Sequence, residues 1–180
     1  FLNQQNVFMM IATKKIAARA MAVCATGLFV HTFALATIPV QHWTQASGAQ
    51  VYLVESPAIA MVDVQIDFDA GSRRDPPGQA GLASMTANML EKGVREKDGA
   101  AALDENALGE AWADLGADFG AGASADRMSF SLRSLTDPVL LDQAVALAAR
   151  QIADPAYPDA VWQRERQRLD AALKESYTRP

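Results

Sequence analysis

The 180-residue chain has very few of the side chains that disulfides and zinc sites require. It contains one cysteine, Cys24, and two histidines, His31 and His42. A single cysteine excludes a disulfide within the chain. The usual zinc sites need several histidine, cysteine or carboxylate ligands, and a Ser-His-Asp triad needs a histidine. Paired carboxylates remain possible as general acid and base.

The N-terminal segment carries basic residues and no acidic ones. Lys14, Lys15 and Arg19 precede the apolar run AMAVCATGLFVHTFALA, which ends in the small-x-small pattern Ala34-Leu35-Ala36. This pattern is typical of a secretory signal peptide. We therefore predict a signal peptide, with upstream residues, over 1–36 and a periplasmic or otherwise exported mature chain. The alternative is a membrane anchor, because the run approaches the roughly 20 residues of a spanning helix. The threonines and the histidine in the run disfavour a membrane-spanning helix. We therefore expect cleavage of the leader, which would leave no stable membrane anchor.

The chain after the predicted leader is acidic. Residues 37–180 contain 21 acidic and 13 basic residues, a formal charge of −8. We expect no nucleic-acid partner, because affinity for nucleic acids comes largely from neutralising phosphates. This part has no cysteine, so its stability must come from an apolar core.

Hydrophobic periodicity predicts an α+β domain. Residues 37–46 are polar and indicate an irregular linker, followed by a domain over 47–180. The pattern predicts strands at 51–55, 62–69, 117–126 and 127–135, and helices at 79–90, 103–115, 137–152 and 158–176. Two strands, two helices, two strands and two helices predict an antiparallel-rich sheet with helices packed on one side.

The same patterns predict which side chains enter the core. The second strand should bury its apolar row, and the last helix should bury its apolar stripe. These two sets are Val62, Val64, Ile66 and Phe68 on the strand, and Trp162, Leu169 and Leu173 on the helix.

Three segments carry a more specific signal: DFDAGSRRDPPGQAGLASMTANMLEKG, LGADFGAGASADRMSFSLRSL and ADPAYPDAVWQRERQRLDAALKE. In order and spacing they resemble the insulinase/pitrilysin family of zinc metallopeptidases. In that family a strand and a GSR-like turn lead into a helix with the inverted motif His-x-x-Glu-His. The resemblance covers roughly residues 47–180. It implies a metallopeptidase-like N-terminal domain that is expected to precede a second homologous half.

The chain departs from the family at the zinc-binding positions. Ser84, Ala87 and Asn88 stand where the motif has histidine, glutamate and histidine. The alignment places Ala172 where the family has its third ligand, a glutamate, with Glu165 one repeat earlier. A hydroxyl and an amide do not bind zinc as imidazoles do. The resemblance therefore implies no cofactor and no catalysis in this chain alone, with zinc in a partner subunit of the same family.

The resemblance also implies a site for a peptide substrate. One segment corresponds to an edge strand that pairs with substrate in active members, and its small residues would let a peptide backbone approach. The alternative is that these residues only relieve crowding at a strand edge or bulge. The segment consists of Gly120, Ala121, Gly122, Ala123 and Ser124.

Three functions remain open at this stage. The first is a non-catalytic subunit of an exported heteromeric zinc peptidase, a heterodimer in which this chain shapes the chamber and helps bind peptide. The second is a free-standing peptide-binding or scaffold protein that kept the fold without catalysis. The third is a hydrolase using Glu91, Asp126 or Glu165, which no sequence pattern pairs.

Overall fold

The computed structural model describes residues 39–178, so the predicted signal peptide lies outside the described residues. The chain divides into two units, one up to Ser56 and one from Pro57 onward. Within residues 39–178, no helix combines the length and the apolar character needed to cross a membrane.

The described part of the first unit is a two-stranded antiparallel hairpin. Strand β1 (Val40–Thr44) pairs with β2 (Gln50–Val54). The irregular linker predicted over 37–46 is therefore wrong along β1. Cross-strand contacts explain the difference, because a ring nitrogen of His42 lies 2.9 Å from Oε1 of Gln50 and its imidazole stacks on Tyr52. Such cross-strand pairs stabilise a strand whose own residues carry only a weak signal.

The second unit is built on a three-stranded antiparallel sheet. It contains β3 (Met61–Phe68), β6 (Asp118–Ala123) and β7 (Met128–Leu135), in the order β3-β7-β6. The predicted alternation at 62–69 is confirmed as a strand, and the two later segments are neighbours as predicted. Two short strands, β4 (Gly93–Val94) and β5 (Leu103–Asp104), form a separate ladder.

Four α-helices and one short 3-10 helix, Ser72–Arg74, complete the second unit among the described residues. The α-helices are α1 (Leu82–Leu90), α2 (Glu105–Asp114), α3 (Pro138–Ala153) and α4 (Asp159–Ser176). Side chains of Asp104 and Asp137 cap α2 and α3 by accepting backbone N–H groups of the first turn. All four helices were predicted, and α1 begins three residues later than expected because Gly81 before it has φ +92°.

The core lies where α2 and α3 pack against the central strand. Leu108 and Trp112 of α2 meet Leu132 of β7 and Ala144 and Ala148 of α3. Because hydrophobic burial is the main force that joins such layers, this cluster fixes the helices over one face of the sheet. The observed architecture confirms the predicted α+β fold.

Two apolar rows are less buried than the sequence predicted. On β3, Val62 is half-buried, whereas the other three members of its row each expose more than a third of their surface. The predicted stripe on α4 is exposed to a similar extent. Strand β3 lies at the edge of the sheet, beyond the strand that α2 and α3 cover. On α4, the buried residue is Glu165, which is not part of the apolar stripe. The exposed residues are Val64, Ile66 and Phe68 on β3, and Trp162, Leu169 and Leu173 on α4.

Candidate functional site

A cavity of about 330 Å³ lies between α1 and α4. Three of the four degenerate positions identified in the sequence, Ser84, Asn88 and Ala172, line it together. Ser84 and Asn88 are four residues apart, so they share one face of α1. The fourth position, Ala87, does not line the cavity and is buried. The remaining lining residues are Met85, Glu165, Arg168 and Leu169.

The start of α1 is held by an aspartate that the sequence analysis did not identify. The carboxylate of Asp75 accepts hydrogen bonds from Gly81 N at 2.8 Å and from Ala83 N at 3.0 Å. N–H groups at a helix N-terminus have no acceptor within the helix, and a negative charge is also favourable there. Asp75 lies outside the usual capping position, so helix-capping rules could not have found it. Its contacts fix the turn of α1 that leads into the cavity.

The cavity contains one buried carboxylate, that of Glu165, whose side chain is only 6% exposed. Arg164 Nε lies 2.9 Å from its Oε1, and Arg168 Nη1 lies 3.3 Å from its Oε2. Arg164 also pairs with Glu105 of α2, which in turn pairs with Lys92. The hydrogen bond from Arg164 is the main cause that lowers the pKa of Glu165, with further contributions from the charges of Arg168, Arg164 and Lys92. The charge of Glu165 is therefore compensated within the protein.

We expect Glu165→Gln to destabilise the fold at pH 7 by about 1–3 kcal/mol, because it removes a buried, hydrogen-bonded charge and leaves its arginine partners in place. The pKa of Glu165 in the folded state lies below its ordinary value of 4.5. The ionised carboxylate of Glu165 therefore contributes its full stabilisation of the fold above pH 4.5. This stabilisation is lost as the pH falls through the lower pKa of the folded state. Urea unfolding of both proteins between pH 7 and pH 3 should show their difference narrowing below about pH 4.5. Glu110→Gln, at an exposed position of α2, is the control. If Glu165→Gln lowers the free energy of unfolding by the same amount at every pH, the ionised carboxylate of Glu165 is not the source of the stabilisation.

The residues around the cavity do not fit a zinc ion. Ser84 and Asn88 offer a neutral hydroxyl and an amide, Ala172 offers no ligand atom, and the carboxylate of Glu165 is held by two arginines. Zinc sites use imidazole, thiolate and carboxylate ligands in combination. Across residues 39–178, no three histidine, cysteine or acidic side chains are grouped closely enough to hold a metal ion.

The predicted peptide-binding segment falls on β6, an edge strand of the described sheet. Ala121 N donates a hydrogen bond to Glu91 Oε1 at 3.2 Å, so this N–H points away from β7. In an antiparallel ladder the direction of the backbone N–H and C=O groups alternates along the strand. The backbone groups of Ala121 and Ala123 therefore point to the outer edge, whereas those of Gly120 and Gly122 bond to β7. Ser124 lies beyond the strand, and its N–H and C=O already bond to Arg127 and Ser72.

Crowding explains one of the small residues but not all of them. A Cβ at Gly120 would lie 2.9 Å from Ser131 Oγ, whereas one at Gly122 would meet nothing within 4 Å. Glycine at 120 thus relieves a close contact within the sheet. The outward positions Ala121 and Ala123 are only partly buried. Part of the segment therefore remains suited to the approach of another backbone.

The three acids proposed for a hydrolase have separate partners. Glu91 accepts from Ala121, Asp126 pairs with Arg73 at 3.0 Å, and Glu165 pairs with two arginines. Among the interactions of the described residues, none joins one of these carboxylates to another. General acid–base catalysis by a carboxylate pair requires two of them near one reacting atom. The structure therefore gives no support to the hydrolase hypothesis.

Comparisons with known proteins give consistent matches to one family. The family model for insulinase (peptidase family M16) matches residues 50–180. The crystal structure of a peptidase M16 inactive domain from Pseudomonas fluorescens has 35% sequence identity and a TM-score of 0.70, over 78% of this chain and 32% of that one. Pitrilysin has 25% identity and a TM-score of 0.61, over 83% of this chain and 15% of its own.

A third structure shows likeness in fold alone. It is a protease from Helicobacter pylori, with 20% identity and a TM-score of 0.57, over 72% of this chain and 29% of that one. The chain thus spans about a third or less of each of these three solved chains. A comparison with characterised protein sequences gives no match.

Proposed function

The chain belongs to the insulinase family, peptidase family M16, and on this basis we propose that it is a non-catalytic subunit of an exported heteromeric zinc peptidase. The observation that supports a non-catalytic role most directly is the α1–α4 cavity, where Ser84 and Asn88 replace the two histidines of the family's motif and Ala172 stands at the aligned position of the third ligand. Cleavage by such an assembly would depend on zinc in a partner chain of the same family. The similar Pseudomonas fluorescens domain is itself described as inactive.

The contribution of this chain would be to shape the chamber and to bind peptide along β6. An extended peptide can add a strand to an exposed sheet edge through main-chain hydrogen bonds. The N–H of Ala121 is the central donor on that edge, and Glu91 occupies it through a single bond of 3.2 Å. A peptide carbonyl would replace this carboxylate oxygen. Glu91 therefore competes with the peptide at the edge.

Ala121→Pro should weaken the binding of an extended peptide about tenfold, since it removes the outward donor and adds a ring at the edge. Proline is tolerated on an edge strand when its missing N–H faces outward, so the ladder with β7 should survive. Glu91→Ala should have the opposite effect, because it frees the same donor. Fluorescence anisotropy with a labelled polar nonapeptide measures both, and circular dichroism checks folding. Equal affinities in the three proteins would rule out β6 as the binding edge.

Co-expression with the product of an adjacent gene that carries an intact His-x-x-Glu-His motif tests the subunit role. Chelator-sensitive cleavage of a peptide by the pair, with neither chain active alone, is the expected result. If the neighbour cleaves equally well by itself, the subunit role fails. The alternative, a free-standing peptide-binding protein, would then take its place, since both the β6 edge and the cavity are complete within this one chain.

A further inference from the structure

The α1–α4 cavity has the size and the lining of a side-chain pocket. Its volume of about 330 Å³ leaves room for one large side chain. Met85, Leu169 and Ala172 provide apolar walls, and the small side chain of Ala172 leaves the space open. Methionine adapts to ligands of different shape, because its side chain is unbranched and flexible.

The charges around the cavity favour an uncharged occupant. The carboxylate of Glu165 is already paired with the guanidinium groups of Arg164 and Arg168. An incoming carboxylate would have to compete with Glu165 for the two arginines, and an incoming ammonium or guanidinium would have to compete with those arginines for Glu165. Burying a charge without a partner is costly, whereas burying an apolar group is favourable.

The cavity lies next to the proposed peptide edge along α1. Asn88 lines the cavity, and Glu91, three residues later, contacts the backbone of β6 at Ala121. Three residues span about 4.5 Å of helix axis. Alternate side chains of an extended peptide point to the same side. One side chain of a peptide paired with β6 can therefore reach the cavity.

We propose that this cavity is a specificity subsite that takes one apolar side chain, of leucine or methionine size, from a peptide bound along β6. The inference rests on the proposed peptide-binding function and adds a selectivity to it. The position of the degenerate zinc motif thus acquires a role in recognition.

The test uses labelled nonapeptides of one polar host sequence with a single guest residue at the centre. The wild-type protein should bind the leucine guest about tenfold more tightly than the glycine guest, and lysine or glutamate guests no better than glycine. Ala172→Leu narrows the cavity from its lining and should bring the affinity for the leucine guest close to that for the glycine guest. Ala171→Leu adds the same side chain at an exposed position outside the lining and should keep the preference.

A second readout reports on the cavity directly. In protein labelled with ¹³C at the methionine methyl groups, the leucine-guest peptide should shift the Met85 signal, and the glycine-guest peptide should not. If both guests bind equally, and Ala121→Pro weakens both, the subsite is refuted while peptide binding along β6 stands. If no peptide binds at all, both proposals fail. Loss of the preference in Ala171→Leu as well as Ala172→Leu would also refute the subsite.

Discussion

Replacing Ser84 and Asn88 by histidine and Ala172 by glutamate should convert the α1–α4 cavity into a zinc site. The three positions line one cavity, with the first two on one helical face. Two imidazoles and a carboxylate are the ligand set of a zinc site with an open position. The triple variant should bind zinc with at least micromolar affinity, whereas the wild-type protein should show no binding in the same range. Competition with a chromophoric chelator measures this.

Two further variants show which residue of α4 completes such a site. The first moves the glutamate to Ala171, one residue along the helix and about 100° around its axis. It should bind zinc roughly tenfold more weakly than the triple variant. The second has only the two histidines, so that Glu165 is the remaining carboxylate of the cavity. If the two-histidine variant binds as tightly as the triple variant, Glu165 and not Ala172 occupies the ligand position.

Trp112→Ala should have the largest effect on stability, a loss of about 3–5 kcal/mol. Trp112 belongs to the core cluster and stacks on Phe119, with ring centroids 5.7 Å apart. Its Nε1 also donates to Gln151 Oε1 at 2.9 Å. The substitution would therefore create a cavity and leave a buried amide oxygen without this partner. Urea unfolding followed by circular dichroism gives the free-energy difference.

Trp162→Ala is the matched control for the core tryptophan. Trp162 is 36% exposed on α4, against 8% for Trp112. Because less apolar surface is buried at Trp162, we expect a loss of only about 1 kcal/mol there. A loss of similar size at both positions would contradict the central role of the α2–α3–β7 cluster.

The sequence predicted much of the fold because its signals are local. Asp137 followed by Pro138 marks the start of α3, and the alternation at 62–69 marks β3. Burial was harder to predict. The apolar row of β3 remains partly exposed because the strand lies at the edge of the described sheet, a position that periodicity does not encode.

In the candidate site, too, some features were predictable from the sequence and others depended on the packing of the elements. By itself, the sequence determined the four α-helices, the strands β2, β3, β6 and β7, and the loss of the motif residues at 84, 87 and 88, since these depend on residue type and short-range spacing. Only the tertiary structure decided that Asp75 holds the start of α1, that Glu91 occupies the outward donor of Ala121, and that the carboxylate of Glu165 is buried. The contacts of Asp75 and Glu91 join residues 6, 8 or 30 positions apart, and the cavity around Glu165 is lined by two helices, so these features form only when the elements pack together.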